Sequence, residues 1–364
     1  LASWWLLRSA LPLTDRDVNT LWGRMNKTVG RVYLTDIYNV IHSEFVPLFN
    51  PFQSYFDHLP SWDGVSDPIG DLADTVHVKS DQAEFRDYFR KWFVGILPAL
   101  LDDTVVNHEI LVLIGEQGLY KTTWFNFLLP PELRCYFYTK TNSDRLNKDD
   151  LFSLTEFALI CFEELDGMRP AELNQLKAMV TMPYVNERAA YGRNKERHPH
   201  IASFCGTGNN VQFLTDPTGN RRWLPFEVSQ IRDPHLHAIP YELVYSQAYA
   251  LWKSGFCHWF SQEEIRVLNT HNSRFEVPNL EEDLIRTHFR KPFEGEAGIF
   301  VTAADILEQI SSCLRYPLSP NKIGRIMAGL EFESIRYKGK RGYITVKKTG
   351  EDIDRERRSG ALGL

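Results

Sequence analysis

Apolar and polar positions follow two different periods along the chain. Between Asp81 and Asp103, apolar side chains recur every three to four positions, which predicts an amphipathic helix with one face in a core. Further along, short apolar runs alternate with stretches of helical period. This alternation predicts a mainly parallel sheet with helices on both faces and with ligands bound at the carboxyl ends of its strands. The runs predicted as strands are 110–114, 136–138, 157–162, 201–204 and 223–228.

A smaller pattern of helices and strands follows near the end of the chain. Helical periods occur at 302–312 and 319–330, and Ser319 is placed to cap the second helix. Two strand patterns at 332–337 and 343–347 come next, which completes the layout of a winged helix. The predicted division is a helical N-terminal region (1–105), the strand–helix core (106–230), a helical connector (231–279), a winged-helix-like domain (280–348) and a disordered polar tail (349–364).

The composition is that of a globular protein and not of a disordered one. The 364 residues are 43% hydrophobic and 13% aromatic, which are values of a folded protein. The net charge of −6 leaves no global basic surface for nucleic acid, so any such surface must be local. Five widely spaced cysteines form no metal-ligand pattern and favour a reduced, cytoplasmic protein. No apolar run is long enough to span a bilayer.

The opening segment LASWWLLRSALPL is apolar but lacks a basic leader and contains Arg8. It is therefore predicted to be a packed helix and not a signal peptide. The first residue is Leu1 and not Met, as expected of an excerpt from a longer protein.

The segment LVLIGEQGLYKTTW has the layout of a phosphate-binding loop between a strand and a helix. In that layout Lys121 reaches the β- and γ-phosphates and the Thr122 hydroxyl holds Mg²⁺. Tyr120 stands where the pattern has a second glycine, so the loop could instead be distorted or inactive. The candidate nucleotide-binding residues are Gly115, Glu116, Gln117, Gly118, Leu119, Tyr120, Lys121, Thr122 and Thr123.

Two further apolar runs end in polar residues that suit the same chemistry. Glu163 and Glu164 follow the run 157–162, where one carboxylate could hold Mg²⁺ and the other could orient an attacking water. Asn209, with Asn210 as its alternate, follows the run 201–204 and could sense the γ-phosphate. An ordinary polar loop and a Gly-Asn turn are the structural alternatives.

Arg221 and Arg222 precede the last strand pattern of the core, in the segment DPTGNRRW. Either could be an arginine finger, the planar cation that stabilises charge during phosphoryl transfer, with Arg222 the first choice. A finger that acts on a neighbouring subunit would imply a ring oligomer. The alternative is that both arginines are simply solvated.

Two basic segments are candidates for contact with nucleic acid. The stretch NERAAYGRNKERHPH predicts a projecting hairpin whose basic side chains and tyrosine suit a nucleic-acid backbone or a stacked base. The wing of the winged-helix pattern is also basic and suits DNA phosphates, although many winged helices bind protein. The candidate residues are Arg188, Arg193, Lys195 and Arg197 in the hairpin and Lys338, Lys340 and Arg341 in the wing.

The order of the motifs GEQGLYKTTW, FEELDG, ERAAYGRNKERH, GTGNN and DPTGNRRWLPFEV resembles the virulence-associated E family. Members of that family are P-loop ATPases of phages and mobile elements, related to superfamily 3 helicases. The resemblance covers about residues 49–228, and more loosely the C-terminal unit. It implies an α/β fold with a P-loop NTPase core, together with ATP hydrolysis that depends on Mg²⁺.

The resemblance also implies roles for single residues. Lys121 and Thr122 correspond to the nucleotide loop, and Glu163 and Glu164 to the metal-binding and catalytic acids, in an order that the resemblance leaves open. Asn209 corresponds to the sensor. An N-terminal priming domain often accompanies the family, but no priming residues are visible in this chain.

The expected function is a nucleic-acid-stimulated ATPase, a helicase-like DNA motor that forms a homo-oligomer and uses ATP and Mg²⁺. One alternative is an ATP-dependent switch whose winged helix contacts a protein partner. Another is a non-catalytic DNA-binding module with a decayed nucleotide site, which Tyr120 motivates.

Overall fold

The computed structural model describes residues 13–47, 49–141, 148–187, 195–215, 220–278, 280–293, 295–311, 319–350 and 352. The chain divides into two compact units, Leu1–Glu276 and Val277–Leu364. The finer division into five predicted segments stays a prediction. Within the described ranges, no helix is both long and apolar enough to cross a membrane.

The first unit has an α/β architecture. Its helices are α1 (Asp15–Thr28), α2 (Leu34–Ile41), α3 (Pro51–Asp57), α4 (Pro68–Ala73), α5 (Gln82–Leu101), α6 (Lys121–Leu128), α7 (Lys148–Glu156), α8 (Pro170–Val180), α9 (Tyr241–Lys253) and α10 (Gln262–Asn272). Its strands are β1 (Val76–Val78), β2 (Ile110–Ile114), β3 (Phe137–Lys140), β4 (Leu159–Phe162), β5 (Tyr184–Glu187), β6 (Glu196–Pro199), β7 (Ser203–Gly208) and β8 (Trp223–Ile231).

Six of the described strands form one sheet in the order β1-β8-β2-β7-β4-β3. The five strands from β8 to β3 are parallel, and β1 pairs antiparallel with β8 at one edge. The predicted parallel sheet is confirmed. Because β2 lies between β7 and β8, the chain leaves β2 toward one side of the sheet and returns for β8 on the other. Such a reversal point is where open α/β sheets bind ligands.

Each face of the sheet is covered by its own apolar core. Strand β2 is buried along its whole length, which explains its uninterrupted apolar sequence ILVLI. Leu111 and Leu113 face one core, and Ile110 and Val112 face the other. Helix α5 covers the first face, and all eight apolar side chains predicted to lie on its buried side are buried: Phe85, Tyr88, Phe89, Trp92, Phe93, Ile96, Leu97 and Leu100.

Strands β5 and β6 pair antiparallel as a separate two-stranded element. They form the two arms of the predicted basic hairpin. Residues 188–194 between them, which include Arg188 and Arg193, lie outside the described residues.

The second unit combines three described helices with a small antiparallel sheet. Ser319 caps its last helix and accepts a hydrogen bond from the Lys322 amide, so that prediction is confirmed. Lys338 and Gly339 both have positive φ in the tight turn of the final hairpin. The elements are α11 (Leu280–His288), β9 (Phe289–Arg290), β10 (Ile299–Val301), α12 (Ala303–Ser311), α13 (Pro320–Gly329), β11 (Ser334–Tyr337) and β12 (Lys340–Lys347). Most of the predicted tail, 351 and 353–364, lies outside the described residues.

Candidate functional site

A cleft of about 360 Å³ opens at the carboxyl ends of β2, β4 and β7. The structure therefore brings together the three sequence segments that were singled out separately. The cleft is lined by Gln117, Gly118, Leu119, Tyr120, Lys121, Thr122, Thr123, Glu163, Glu164, Thr207, Gly208 and Asn209.

The loop 115–120 joins β2 to α6 through a tightly constrained backbone. Gly118 (φ 85°) and Tyr120 (φ 59°) are both left-handed, so Tyr120 adopts a conformation that favours glycine. For a side chain this conformation costs on the order of 1 kcal/mol. Gly115 donates its amide to the Gly208 carbonyl at 3.1 Å. A Cβ on Gly115 would lie 2.9 Å from the Val228 carbonyl oxygen, so the close approach of loop and sheet requires glycine there.

Lys121 begins α6, and its ammonium group points back into the loop. Its Nζ donates to the carbonyl oxygens of Gly115 at 2.6 Å and Glu116 at 2.7 Å. The same atom lies 3.4 Å from Oδ1 of Asn209. Burial lowers the pKa of Lys121, and the nearby Asp166 carboxylate opposes that shift. The lysine is thus a largely buried cation at the start of a helix, beside backbone groups that suit an anion.

Thr122 and Glu163 meet across the cleft. The Thr122 hydroxyl donates to Oε1 of Glu163 at 2.8 Å. A hydroxyl oxygen and a carboxylate oxygen are ligands that Mg²⁺ accepts. No cluster of three or more His, Cys, Asp or Glu side chains that could hold a metal occurs in the part of the chain that the structure describes. The hydroxyl and the carboxylate fit Mg²⁺ that takes its remaining ligands from phosphate and water.

The acids at the end of β4 turn sharply toward β7. Glu164 is exposed, lines the cleft and has a left-handed backbone (φ 53°). Directly after it, Leu165 packs against Gly206, where any Cβ would overlap the Leu165 side chain. Asp166 faces the residues that follow β7.

The two asparagines after β7 point to different partners. Asn209 faces Lys121, as given above, whereas Asn210 donates its Nδ2 to Oδ2 of Asp166 at 2.7 Å. The geometry thus favours Asn209 over its alternate for contact with a ligand in the cleft. Sequence reasoning assigned no role to Asp166. The sequence signal that could have indicated a role for Asp166 is its position as a third acid, two residues after Glu164, at the end of a buried strand.

The carboxyl ends of the parallel strands form the carboxyl edge of the sheet, where the cleft lies, and their amino ends form the amino edge. Arg221 and Arg222 lie at the amino edge. They precede β8, whose Trp223 is in parallel register with Ile110 at the amino end of β2, and the five residues of β2 span about 16 Å. Burial and Arg221 lower the pKa of Arg222, while Glu109 opposes that shift. Burial raises the pKa of Glu109 to about 7.

The described basic residues of the hairpin and the wing are exposed. Arg197 stacks on Tyr184 across the β5–β6 pair, with Cζ 3.4 Å from the ring centroid. Lys195 and Arg197 are not among the residues that line the cleft. In the second unit, Lys338, Lys340 and Arg341 surround the tight turn between β11 and β12.

The first unit is thus an α/β domain with a parallel sheet and a polar cleft where three of its strands end. The model of the virulence-associated protein E-like domain matches residues 57–277, more than half of the chain. The chain belongs to this family, and the resemblance seen in the sequence is confirmed.

Solved structures of the NrS-1 C-terminal region are similar to this chain. The apo structure of residues 305–718 is 12% identical with a TM-score of 0.49, over 91% of this chain and 90% of that chain. An A form apo structure of the same region is 14% identical with a TM-score of 0.44, over 83% and 80% of the two chains. The comparison with curated proteins gave no match.

Proposed function

We propose that the protein is a Mg²⁺-dependent ATPase stimulated by nucleic acid, a helicase-like DNA motor of a phage or mobile element. The observation that carries the proposal is the contact between Thr122 and Glu163 in the cleft that Lys121 also lines. It brings a cation for phosphate and two oxygen ligands for a metal to one cleft. In this proposal the core is a P-loop NTPase and the second unit is a winged helix.

The loop 115–120 and the start of α6 would bind the phosphates of ATP. Backbone N–H groups at a helix N-terminus favour anions, and Lys121 adds a full positive charge. The lysine now donates to its own loop carbonyls, and phosphate oxygens would take over as acceptors. Thr122 and Glu163 would hold Mg²⁺, which when bound neutralises charge on the phosphate oxygens.

The remaining cleft residues would act on water and on the γ-phosphate. Glu164 would orient the attacking water or accept its proton, since it is exposed to the cleft beside the metal ligand. Asn209 would hydrogen-bond the γ-phosphate, since its side chain already lies next to Lys121.

The position of Arg222 supports an oligomer. It lies a whole strand length from the cleft of its own chain, so it would reach the nucleotide of a neighbouring copy. Arg221 is the second choice for the same role. A closed ring of such contacts places every cleft opposite an arginine from the next subunit.

Nucleic acid would contact two basic surfaces. Exposed Lys195 and Arg197, with the tyrosine on which Arg197 stacks, suit the backbone and bases of single-stranded DNA. The exposed wing residues Lys338, Lys340 and Arg341 suit DNA phosphates.

The test is ATP hydrolysis with Mg²⁺, with and without single-stranded DNA. We expect stimulation by DNA in the wild type and a loss of at least about a hundredfold in Lys121→Ala, because one preorganised charge at the phosphates is removed. Lys253→Ala is the matched control, since Lys253 is an exposed lysine that does not line the cleft. Wild-type protein that binds ATP without Mg²⁺-dependent turnover would contradict the proposal and support a decayed site.

A further inference from the structure

Asp166 joins two loops that border the cleft. It lies in the short turn Leu165–Gly167 after β4, beyond the acids Glu163 and Glu164. Its carboxylate accepts hydrogen bonds from the Asn209 amide at 3.2 Å, the Asn210 amide at 3.1 Å and Nδ2 of Asn210 at 2.7 Å. One carboxyl group thus accepts hydrogen bonds from both residues that follow β7.

The backbone on both sides is shaped to allow this contact. Left-handed Glu164 turns the chain so that it approaches β7. On β7, a Cβ at Gly206 would overlap Leu165, and a Cβ at Gly208 would lie 3.0 Å from Oδ1 of Asp166. Two glycines on one strand therefore make room for two consecutive residues of the facing turn.

The contact also fixes what Asn209 faces. With its amide held by Asp166, Asn209 presents Oδ1 at 3.4 Å from Nζ of Lys121. Burial lowers the pKa of Lys121, and the Asp166 carboxylate opposes that shift. The acid turn, the asparagine and the lysine therefore form one connected set, although they come from three different strand ends.

We propose that Asp166 is a positioning residue that holds Asn209 in place for its action on the γ-phosphate. This rests on the proposed function, because Asn209 must act on a nucleotide in the cleft. Asp166 needs no contact with the nucleotide to have this effect. Its carboxylate holds Asn209 at a fixed position relative to the turn that follows Glu163 and Glu164.

The test uses Asp166→Asn, an isosteric change that replaces one acceptor oxygen with an amide donor. The Asn209 and Asn210 amides donate to different oxygens, so one of them then faces a donor. We expect kcat to fall about tenfold to a hundredfold while KM for ATP changes less than about threefold, because the phosphate loop is untouched. Asp67→Asn is the matched control. Asp67 caps α4 with a similar set of hydrogen bonds and does not line the cleft, so this variant should keep kcat.

The double variant with Asn209→Ala separates positioning from general support of the fold. If Asp166 acts through Asn209, the double variant should have the kcat of Asn209→Ala alone. Losses that multiply, or an unchanged kcat in Asp166→Asn, would overturn this inference and leave the proposed function standing. Absence of any Lys121-dependent turnover in the wild type would overturn the proposed function, and this role with it.

Amide hydrogen exchange gives a readout of the same contact that does not depend on turnover. In Asp166→Asn, the amides of Asn209 and Asn210 should exchange faster, while amides within β7 should keep their protection. Unchanged exchange at both asparagines would overturn the inference.

Discussion

The two edges of the parallel sheet carry different kinds of polar group. At the carboxyl edge, Lys121, Thr122 and Asn209 contact one another or groups of the same chain within hydrogen-bonding distance. At the amino edge, Arg222 lies beside Glu109, far from that cleft. The sheet therefore separates the residues proposed to bind the nucleotide from the arginine proposed to act on it. Arg222 lies a strand length from the cleft of its own chain, so under the proposed function it would act on the nucleotide of a second copy.

The two edges also differ in what is energetically unfavourable: backbone strain at the carboxyl edge and the burial of charged groups at the amino edge. Four non-glycine residues in the described ranges have positive φ, and two of them, Tyr120 and Glu164, lie at the carboxyl edge. The backbone is strained there. At the amino edge, burial raises the pKa of Glu109 and lowers the pKa of Arg222, so it disfavours the charged form of each. Substitutions at the two edges should therefore differ in how they respond to neutral pH and to mixing of subunits.

The largest expected effect is the loss of Arg222. We expect Arg222→Ala to lower kcat about a thousandfold, as removal of an arginine finger does, with ATP binding retained because the cleft is intact. Mixing it with Lys121→Ala should restore part of the turnover. In mixed oligomers, an intact cleft of the first variant can face an intact arginine of the second.

Steady-state hydrolysis across mixing ratios measures this recovery. Arg221→Ala is the matched neighbour, and it should lose less if Arg222 is the finger. Mixed oligomers that form without any gain in turnover would break the comparison, because the two edges would then not meet between subunits.

The sequence predicted the strands well where burial made them uniformly apolar. For β2 the predicted bounds 110–114 are those of the structure, since ILVLI is buried on both faces. It did not predict β1, whose three residues include exposed His77 and which pairs with the end of β8. So short an edge strand is specified by its tertiary partner and not by its own pattern.

For the candidate site, the sequence indicated residues at the strand ends but not their mutual contacts. Lys121, Glu163 and Asn209 each follow an apolar run, and parallel strands bring such ends to one edge. Asp166 was not assigned because its role depends on the glycines of β7 that face it, which no local pattern reveals. The raised pKa of Glu109 likewise comes from burial, which no local sequence pattern reveals.

The next largest effect concerns the amino edge and pH. Because burial raises the pKa of Glu109 to about 7, the folded protein holds a proton that the unfolded chain releases above about 4.5. This destabilises the fold increasingly as pH rises from 5 to 8, by roughly 2 to 3 kcal/mol. Glu109→Gln should remove that part of the pH dependence of the free energy of unfolding.

Urea unfolding of wild type and Glu109→Gln at pH 5 and pH 8 measures the difference. Glu263→Gln, a change at an exposed glutamate of α10, is the control and should keep the wild-type pH dependence. An identical pH dependence in Glu109→Gln and wild type would remove the electrostatic half of the comparison.

The smallest expected effect is at Tyr120, where the carboxyl edge departs from the glycine of the common loop pattern. Tyr120→Gly relieves a left-handed side chain but adds freedom to the unfolded chain, so stability should change by less than about 1 kcal/mol. Turnover should change less than about threefold, because the backbone already has the conformation that glycine favours. Glu331→Gly is the control, since Glu331 has nearly the same φ (58°) in the second unit and should alter stability alone. A tenfold gain in turnover for Tyr120→Gly would mean that the tyrosine impairs the cleft. A tenfold loss would mean that the tyrosine ring, and not only its backbone, takes part in nucleotide binding.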